Sequence, residues 1–295
     1  NLAYLSLVFM GGPSKVIVER VQTSDDISDA LERLKNKRWY YLAVPGLGDG
    51  ETDTVVEYIK EQRTQYHKTF KAVLPLAAAD NEGIINFATD NIKVGAKTYT
   101  TAEFCCRIAG ILAGLPLNRS ATYYTLPEVE SITESETPDD DVDNGKLILI
   151  NDGTKIKIAR GVNSLTTATE DKGDDFKKIK IIEAVDMIRD DIRATFEDEF
   201  VGKVENSYDN KIVFIAAVNK YFKDLANRGV LYDKYDNKAE IDIDETREWL
   251  SKARDVSSWD DEKIKTANTG TNVFVRASIQ IQDAIEDLKF GIYIE

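Results

Sequence analysis

The stretch from Trp39 to Ala88 constrains the fold more than any other. "WYYLAVP" (39–45) reads as a buried-type strand closed by proline. The loop "GLGDG" follows, then a helical pattern over about 52–66. "TFKAVLP" (69–75) and "GIINFA" (83–88) read as two more strands. Strand, helix, strand in this order predicts βαβ units and a partly parallel sheet. Upstream, "KVIVERV" (15–21) reads as a strand. The helix after it carries Ile27, Ala30, Leu31 and Leu34 at helical spacing, with Ser24 able to cap it. Downstream, Thr100 and Glu103 have the spacing of a capping box. Phe104, Ile108, Ile111 and Leu115 then share a face, and Gly114 and Pro116 end the helix.

Beyond this helix the sequence turns polar, with Pro127, Pro138 and the acid run Asp139–Asp141, so a domain boundary is expected near Leu126. The first domain is then 1–125 and the second 126–295. The acid run reads as a solvated loop, its spacing unlike that of a calcium loop. Asp152-Gly153 between alternating residues predicts a hairpin with a type I′ turn. Its apolar face is Ile156 and Ile158, and "ARGVNS" follows directly. An amphipathic helix is predicted over about 176–196 and another over about 209–227, with shorter ones near 244–253 and 260–267. The end reads as two alternating strands, "NVFVRASIQIQ" and "LKFGIYIE". Residues 286–295 are expected to pair with 273–281 or with the equivalent strand of a neighbour. The overall class is mixed α/β: an N-terminal βαβ-type domain and a C-terminal α+β domain.

The net charge of −14 repels phosphate backbones, and no basic patch offsets it, which argues against nucleic acid as a partner. No apolar run approaches the ~20 residues of a membrane-spanning helix. The adjacent Cys105 and Cys106 diverge on a helix and form no disulfide framework. With His67 the single histidine, most His-based metal sites are excluded and a Ser-His-Asp triad would depend on that one surface-looking residue. The chain begins at Asn1, without Met, inside what reads as an element, so a preceding segment is expected.

Three features resemble chemistry and fall short of it. The loop with Gly46, Gly48 and Gly50 enters a helix as phosphate-binding loops do. It lacks the Lys-Ser/Thr of a P-loop, departs from G-x-G-x-x-G at Glu51, and places Glu51 and Asp53 where an anion would sit. An α/β nucleotide- or sugar-phosphate-binding enzyme using this loop is the alternative reading; a plain βα turn is the simpler one. Ser164 lacks the context of a nucleophile. Asp80 and Glu82 are a conceivable carboxylate pair, but their spacing in a loop fits turn and cap roles better. No catalytic residue, cofactor or metal ligand is assigned.

A different pattern spans almost the whole chain. "YLAVPG" (41–46), "TFKAVLP" (69–75), "ADNEGIINF" (79–87) and "AGLPLNRSATYYTLPEV" (113–129) come first. "LILINDGTKIKIARGVNSLTT" (147–167), "YDNKIVFIAAVNKYFKDLANRGVL" (208–231) and "ANTGTNVFVRASIQIQDAIEDLKFGIYI" (267–294) follow in order. Together they resemble the contractile tail sheath proteins of phages and phage-tail-like bacteriocins, most closely the compact type of Gram-positive phage-like particles.

The resemblance implies a structural, non-enzymatic subunit of a virion tail or tail-like particle, made in the bacterial host cytoplasm. It implies stacked hexameric rings around a tail tube, with baseplate and tail terminator proteins as further partners. Contraction would drive the tube through the target envelope. Terminal arms would exchange strands between subunits, and the family's N-terminal arm is expected to precede Asn1. The hairpin and "ARGVNS" would hold the subunit in its ring. Candidate assembly residues are Arg160, which can bind a carboxylate with its planar fork, Asn163 and Ser164, which can bond local backbone, and Phe290, Ile292 and Ile294 on the last strand. Gly161 is expected to supply backbone freedom for a sharp exit. Lys177, Lys178 and Lys180 are a candidate tube- or neighbour-facing surface, a solvated helix face being the simpler reading.

Overall fold

The structure is a computed structural model that describes residues 2–22, 26–48, 50–170 and 172–294. It divides into two compact units, Asn1–Glu183 with Ala284–Glu295, and Ala184–Asp283. The division falls within a helix rather than near Leu126, because Leu126 is fully buried in the core of the first unit.

The first unit contains, in chain order, α1 (Leu2–Phe9), α2 (Ile27–Leu34), β1 (Tyr41–Ala43), α3 (Glu51–Thr64), β2 (Lys71–Pro75), β3 (Ile84–Phe87), β4 (Asp90–Val94), β5 (Lys97–Tyr99) and α4 (Thr101–Gly114). β6 (Ser131–Thr133), α5 (Pro138–Asp143), β7 (Lys146–Leu147), β8 (Leu149–Asn151) and β9 (Ile156–Ile158) follow. α6 (Ile179–Glu199) then runs into the second unit. β1, β2, β3 and β7 form a parallel sheet in that order. The pleat explains why the strands read as continuous apolar runs. Ala72, Leu74 and Ile84 pack with Ile27, Leu31, Val55 and Ile59 of α2 and α3. Val73, Ile85 and Phe87, of opposite parity, pack with Phe104, Ile108 and Ile111 of α4. The expected capping box is present, Thr100 Oγ1 accepting from Glu103 N while Glu103 accepts from Thr100 N. Gly110 and Gly114 let α1 lie directly on α4: a Cβ at Gly110 would meet Val8 O at 2.2 Å.

The connection from β2 to β3 departs from the βαβ expectation. Residues 76–83 join two neighbouring parallel strands with no helix, where a dozen or more residues are usual. The shortness is met by left-handed backbone at two non-glycine positions, Leu76 (φ 51°) and Asp80 (φ 47°).

Other expectations need correction. Lys15–Val21 is not a strand; it finds no partner strand among the described residues, and Glu19 ties it to α2 through Arg33 at 2.6 Å. Ser24 lies outside the described residues, and Asp26 caps α2, its side chain accepting from Ser28 N. The acid run is the short helix α5 rather than a loop, with Pro138 in its first turn and its acids near the positive end of the dipole. The hairpin β8–β9 forms, but only Gly153 has positive φ (90°), so the turn is not type I′. Its loop is 152–155, built on the Asp152 carboxylate, which accepts from Thr154 N at 3.0 Å and Lys155 N at 2.9 Å.

The second unit holds the rest of α6, α7 (Tyr208–Asn227), β10 (Lys238–Ile241), α8 (Ile243–Ser251), α9 (Asp261–Thr266) and β11 (Val275–Ser278). Ser207 caps α7, which buries Phe214, Ile215, Val218, Phe222 and Leu225 at helical spacing. Phe214 meets Phe196 of α6 and Phe200, the residue after its end, edge-on, each at 5.1 Å. β10 and β11 pair antiparallel as an isolated two-stranded sheet. Among the described residues, 286–294 form no strand and do not pair with 273–281, the first of the two expected pairings; 275–278 pair with β10.

Candidate assembly surface

After β9 the chain from Arg160 to Thr167 crosses the first unit as a connector whose polar groups are almost all used. Gly161 N donates to Thr122 Oγ1 at 2.9 Å, and Gly161 O accepts from Ile179 N at 2.9 Å. The glycine serves close approach, not a left-handed turn: a Cβ there would press on Ser120 Oγ at 3.2 Å and Ala121 Cβ at 3.3 Å. Asn163 is fully buried. Its amide donates to Lys177 O, its Nδ2 donates to Phe176 O at 2.7 Å, and its Oδ1 accepts from Leu165 N at 2.9 Å. Ser164 N donates to Ile84 O at 2.8 Å, while Ser164 Oγ donates to Asn81 O at 2.9 Å and accepts from Asn81 N.

The connector therefore grips the helix-free β2–β3 loop. Asp80 extends the grip, its carboxylate accepting from Thr166 N at 2.7 Å and Thr167 N at 2.9 Å. These backbone donors, Thr166 first, hold the Asp80 carboxyl well below the usual range. Burial pushes the Glu82 carboxyl up, but Arg63 at 3.4 Å and Lys172 at 3.0 Å outweigh it, and the net shift is downward. Asp80 and Glu82 are thus separate fasteners rather than a catalytic pair.

Arg160 finds its carboxylates far from Asp152 and Glu170, its nearest acids in sequence. Its Nη1 donates to Glu286 Oε2 at 3.3 Å, and its Nη2 donates to Asp287. The bond to Asp287 raises the Arg160 pKa, against a smaller opposing effect of burial. The guanidinium fork so fixes the root of the C-terminal tail. Beyond the root, Leu288, Phe290, Ile292 and Ile294 are 86%, 76%, 75% and 94% exposed. No strand pairing is found beyond Ile281 among the described residues.

The lysines divide. Lys177 and Lys178 are half-buried, and Lys177 pairs with Asp174 at 2.8 Å. Lys180 is only 6% exposed, which removes it from any surface of the isolated chain.

The connector's buried polar groups are thus bonded within the chain, while the tail's apolar side chains are exposed. A family model of the phage tail sheath protein central domain matches residues 21–164, and one of the phage tail sheath C-terminal domain matches 171–295. The chain belongs to the phage tail sheath family.

It is 37% identical to the tail sheath protein of Clostridium phage phiCD119 over 99% of this chain and 84% of that protein. The fold matches the sheath tail protein of Listeria innocua (TM-score 0.70, 17% identity) over 92% of this chain, which spans 60% of that one. It also matches the helical sheath of the anti-feeding prophage in its contracted state (TM-score 0.67, 14% identity), over 100% of this chain and 81% of that one. The sheath subunit is a structural protein of a phage or phage-like tail and not an enzyme.

The enzyme-like features acquire plain structural roles. Gly48 N donates to Glu51 Oε2 at 2.6 Å, so the chain's own anion takes the amide that a phosphate would need. Ser164 Oγ is committed to Asn81. Sequence reasoning missed that Arg160 meets the tail and that Asp80 meets Thr166. In both contacts the partners lie more than 80 residues apart, at |i−j| of 126 and 86, and neither end carries a local signature.

Proposed function

We propose that this sheath subunit polymerises as stacked hexameric rings around a tail tube and contracts to drive the tube through a target envelope. Neighbouring subunits, the tube protein, and baseplate and terminator proteins are its partners. It is made in the host cytoplasm and works in the particle. The observation that carries this reading is the tail: an alternating apolar strand sequence, rooted by Arg160 and otherwise without strand pairing among the described residues. Such a segment is costly in water and stabilises whatever sheet it joins, through main-chain hydrogen bonds and side-chain burial. Asn163 and Ser164 serve assembly indirectly by holding the connector that carries Arg160. The helical contracted sheath among the structural relatives supports the same reading.

Negative-stain imaging under assembly conditions tests it. The sheath subunit should give wide hollow cylinders, and the chain ending at Asp287 should give none. Cylinders from the shortened chain would defeat the role assigned to the tail.

A further inference from the structure

Along the seam between α2 and α3 the first unit carries an open groove of about 470 Å³. The two helices pack beneath it through Ile27 and Leu31 against Val55 and Ile59. Leu31 and Tyr58 line the groove, and Tyr58 Oη donates to Leu31 O at 3.1 Å. Glu32, Glu57 and Glu61 line it too. Glu32 meets Lys35 and Glu57 meets Lys60, each at 3.5 Å, yet the two carboxylate side chains stay 69% and 74% exposed. Pairs so exposed are weak. Glu61 is exposed and forms no ion pair among the described residues. Two of these charges bear on one point: burial first, then Glu32 and Glu61, push the Tyr58 hydroxyl up to about 12.

A basic ledge lies at the ends of the same two helices. Residues 33–38, RLKNKR, place four basic side chains in six positions with no acid among them. The helix ends are joined here: Lys68 Nζ donates to Lys35 O, and Lys35 Nζ lies 5.1 Å from the centre of the Tyr66 ring. Trp39 pins the segment at its far end. Its ring stacks on Phe70 with centres 3.8 Å apart, and its Nε1 donates to Leu34 O at 3.0 Å. Cations in a last helical turn complement the helix dipole, which accounts for Arg33 and Lys35. Lys37 and Arg38 lie beyond that turn. Lys37 bonds Glu19 at 3.0 Å and is still 43% exposed, and Arg38 is exposed.

We propose that the acidic groove between α2 and α3 receives the basic segment 35–38 of a second copy of the chain, with Lys37 and Arg38 meeting Glu57 and Glu61. The inference rests on the reading of the chain as a self-assembling subunit. Charge complementarity names the occupant. Three carboxylates line the groove, and the same unit displays an acid-free basic segment in a chain of net charge −14. Leu31 and the Tyr58 ring would cover the aliphatic stems of the incoming side chains. The chain's own segment is pinned by Trp39, and its Lys37 turns to Glu19, so the groove is left for another copy. Giver and receiver are different surfaces, so the contact can repeat from copy to copy, as a polymer requires.

Zero-length cross-linking tests the contact. Equal amounts of unlabelled and isotope-labelled chain are assembled together and treated with a carbodiimide, which joins carboxylates to lysine amines. The links are mapped by mass spectrometry. Lys35–Glu32 links, confined to one isotope, report that the reagent has worked. Links from Lys37 to Glu57 or Glu61 are expected, half of them joining a labelled to an unlabelled chain. Their absence, or their confinement to one isotope, would overturn the proposal. Mixed links from the groove to a different lysine would overturn the choice of segment. Charge reversal gives a second readout. Lys37→Glu with Arg38→Glu, or Glu57→Lys with Glu61→Lys, should cut the cylinder yield to background and leave the monomer's thermal midpoint in place. All four changes together should restore part of the yield, because like charges facing across an interface repel and the reversed set attracts again. A wild-type yield from both reversed pairs would also overturn the contact. If the unaltered chain gives no cylinders, the proposed function fails, and cross-linking of the concentrated chain in solution still decides this contact.

Discussion

The connector 160–167 and the tail 288–294 flank one contact, Arg160 with Glu286 and Asp287, and obey opposite rules. In the connector, buried polar groups such as those of Asn163 and Ser164 are satisfied within the chain. In the tail, apolar side chains are left in solvent and the backbone forms no strand pairing among the described residues. Buried polar groups are tolerated only when bonded, so the connector is finished on folding. Exposed apolar segments of this kind mark interaction sites, and under the proposed assembly role a partner would cover the tail. Monomer stability and assembly should therefore respond to separate sets of mutations.

The widest separation is expected from Phe290→Asp with Ile292→Asp. These side chains touch little in the monomer, so its thermal midpoint should stay at the wild-type value while the yield of cylinders falls to background. A lowered midpoint would mean that the tail belongs to the monomer's own fold. Asn163→Ala should do the reverse. It strips Phe176 O and Leu165 N of buried partners, at a cost of about 2–4 kcal/mol, read as a lower urea midpoint.

Arg160 lies where the two regions meet and should move both readouts, each less. Its side chain is 29% exposed and Asp287 is 80% exposed, so Arg160→Ala should cost the monomer about 1 kcal/mol. The assembly yield should fall further, because the root of the tail is no longer fixed. Arg160→Lys should not restore the yield, since one ammonium cannot reproduce a fork shared by two carboxylates. A wild-type yield from Arg160→Ala would break the link between connector and tail.

Acid should loosen the connector's grip on the β2–β3 loop. Asp80 and Glu82 titrate below their unfolded values. The stability they add is complete above about pH 4.5. It is lost as pH falls through the lowered folded values. Asp80→Asn should cost about 1 kcal/mol at neutral pH and flatten the acid limb of a stability–pH curve. An unchanged acid limb would remove Asp80 from the fastening. The smallest effect is expected from Lys177→Glu with Lys178→Glu. The loss of an i,i+3 pair should change monomer stability by less than about 0.5 kcal/mol. If this surface faces the tube or a neighbour, assembly should weaken at low salt only, and a yield constant across ionic strength would count against that role.

The sequence by itself determined the elements whose signals are local. The apolar runs of β1, β2 and β3, the Thr100–Glu103 box and the apolar stripe of α7 each lie within one short window, and each forms as read. Family membership was legible for a different reason: many weak segments occur together in one order. Only the tertiary structure decided the pairings. Lys15–Val21 looks like a strand and is not one, because a strand is defined by a neighbour's hydrogen bonds more than by its own residues. The helix-free crossover at 76–83 depends on acceptors and donors supplied by Ser164 and Thr166. The partner of Arg160 lies 126 residues away, and the bonds between the Asn219 carboxamide of α7 and the backbone of Ala239 on β10 depend on where α7 comes to rest. Contacts of this kind pay a loop-closure entropy that no local pattern records, and they form only once the core has brought their ends together.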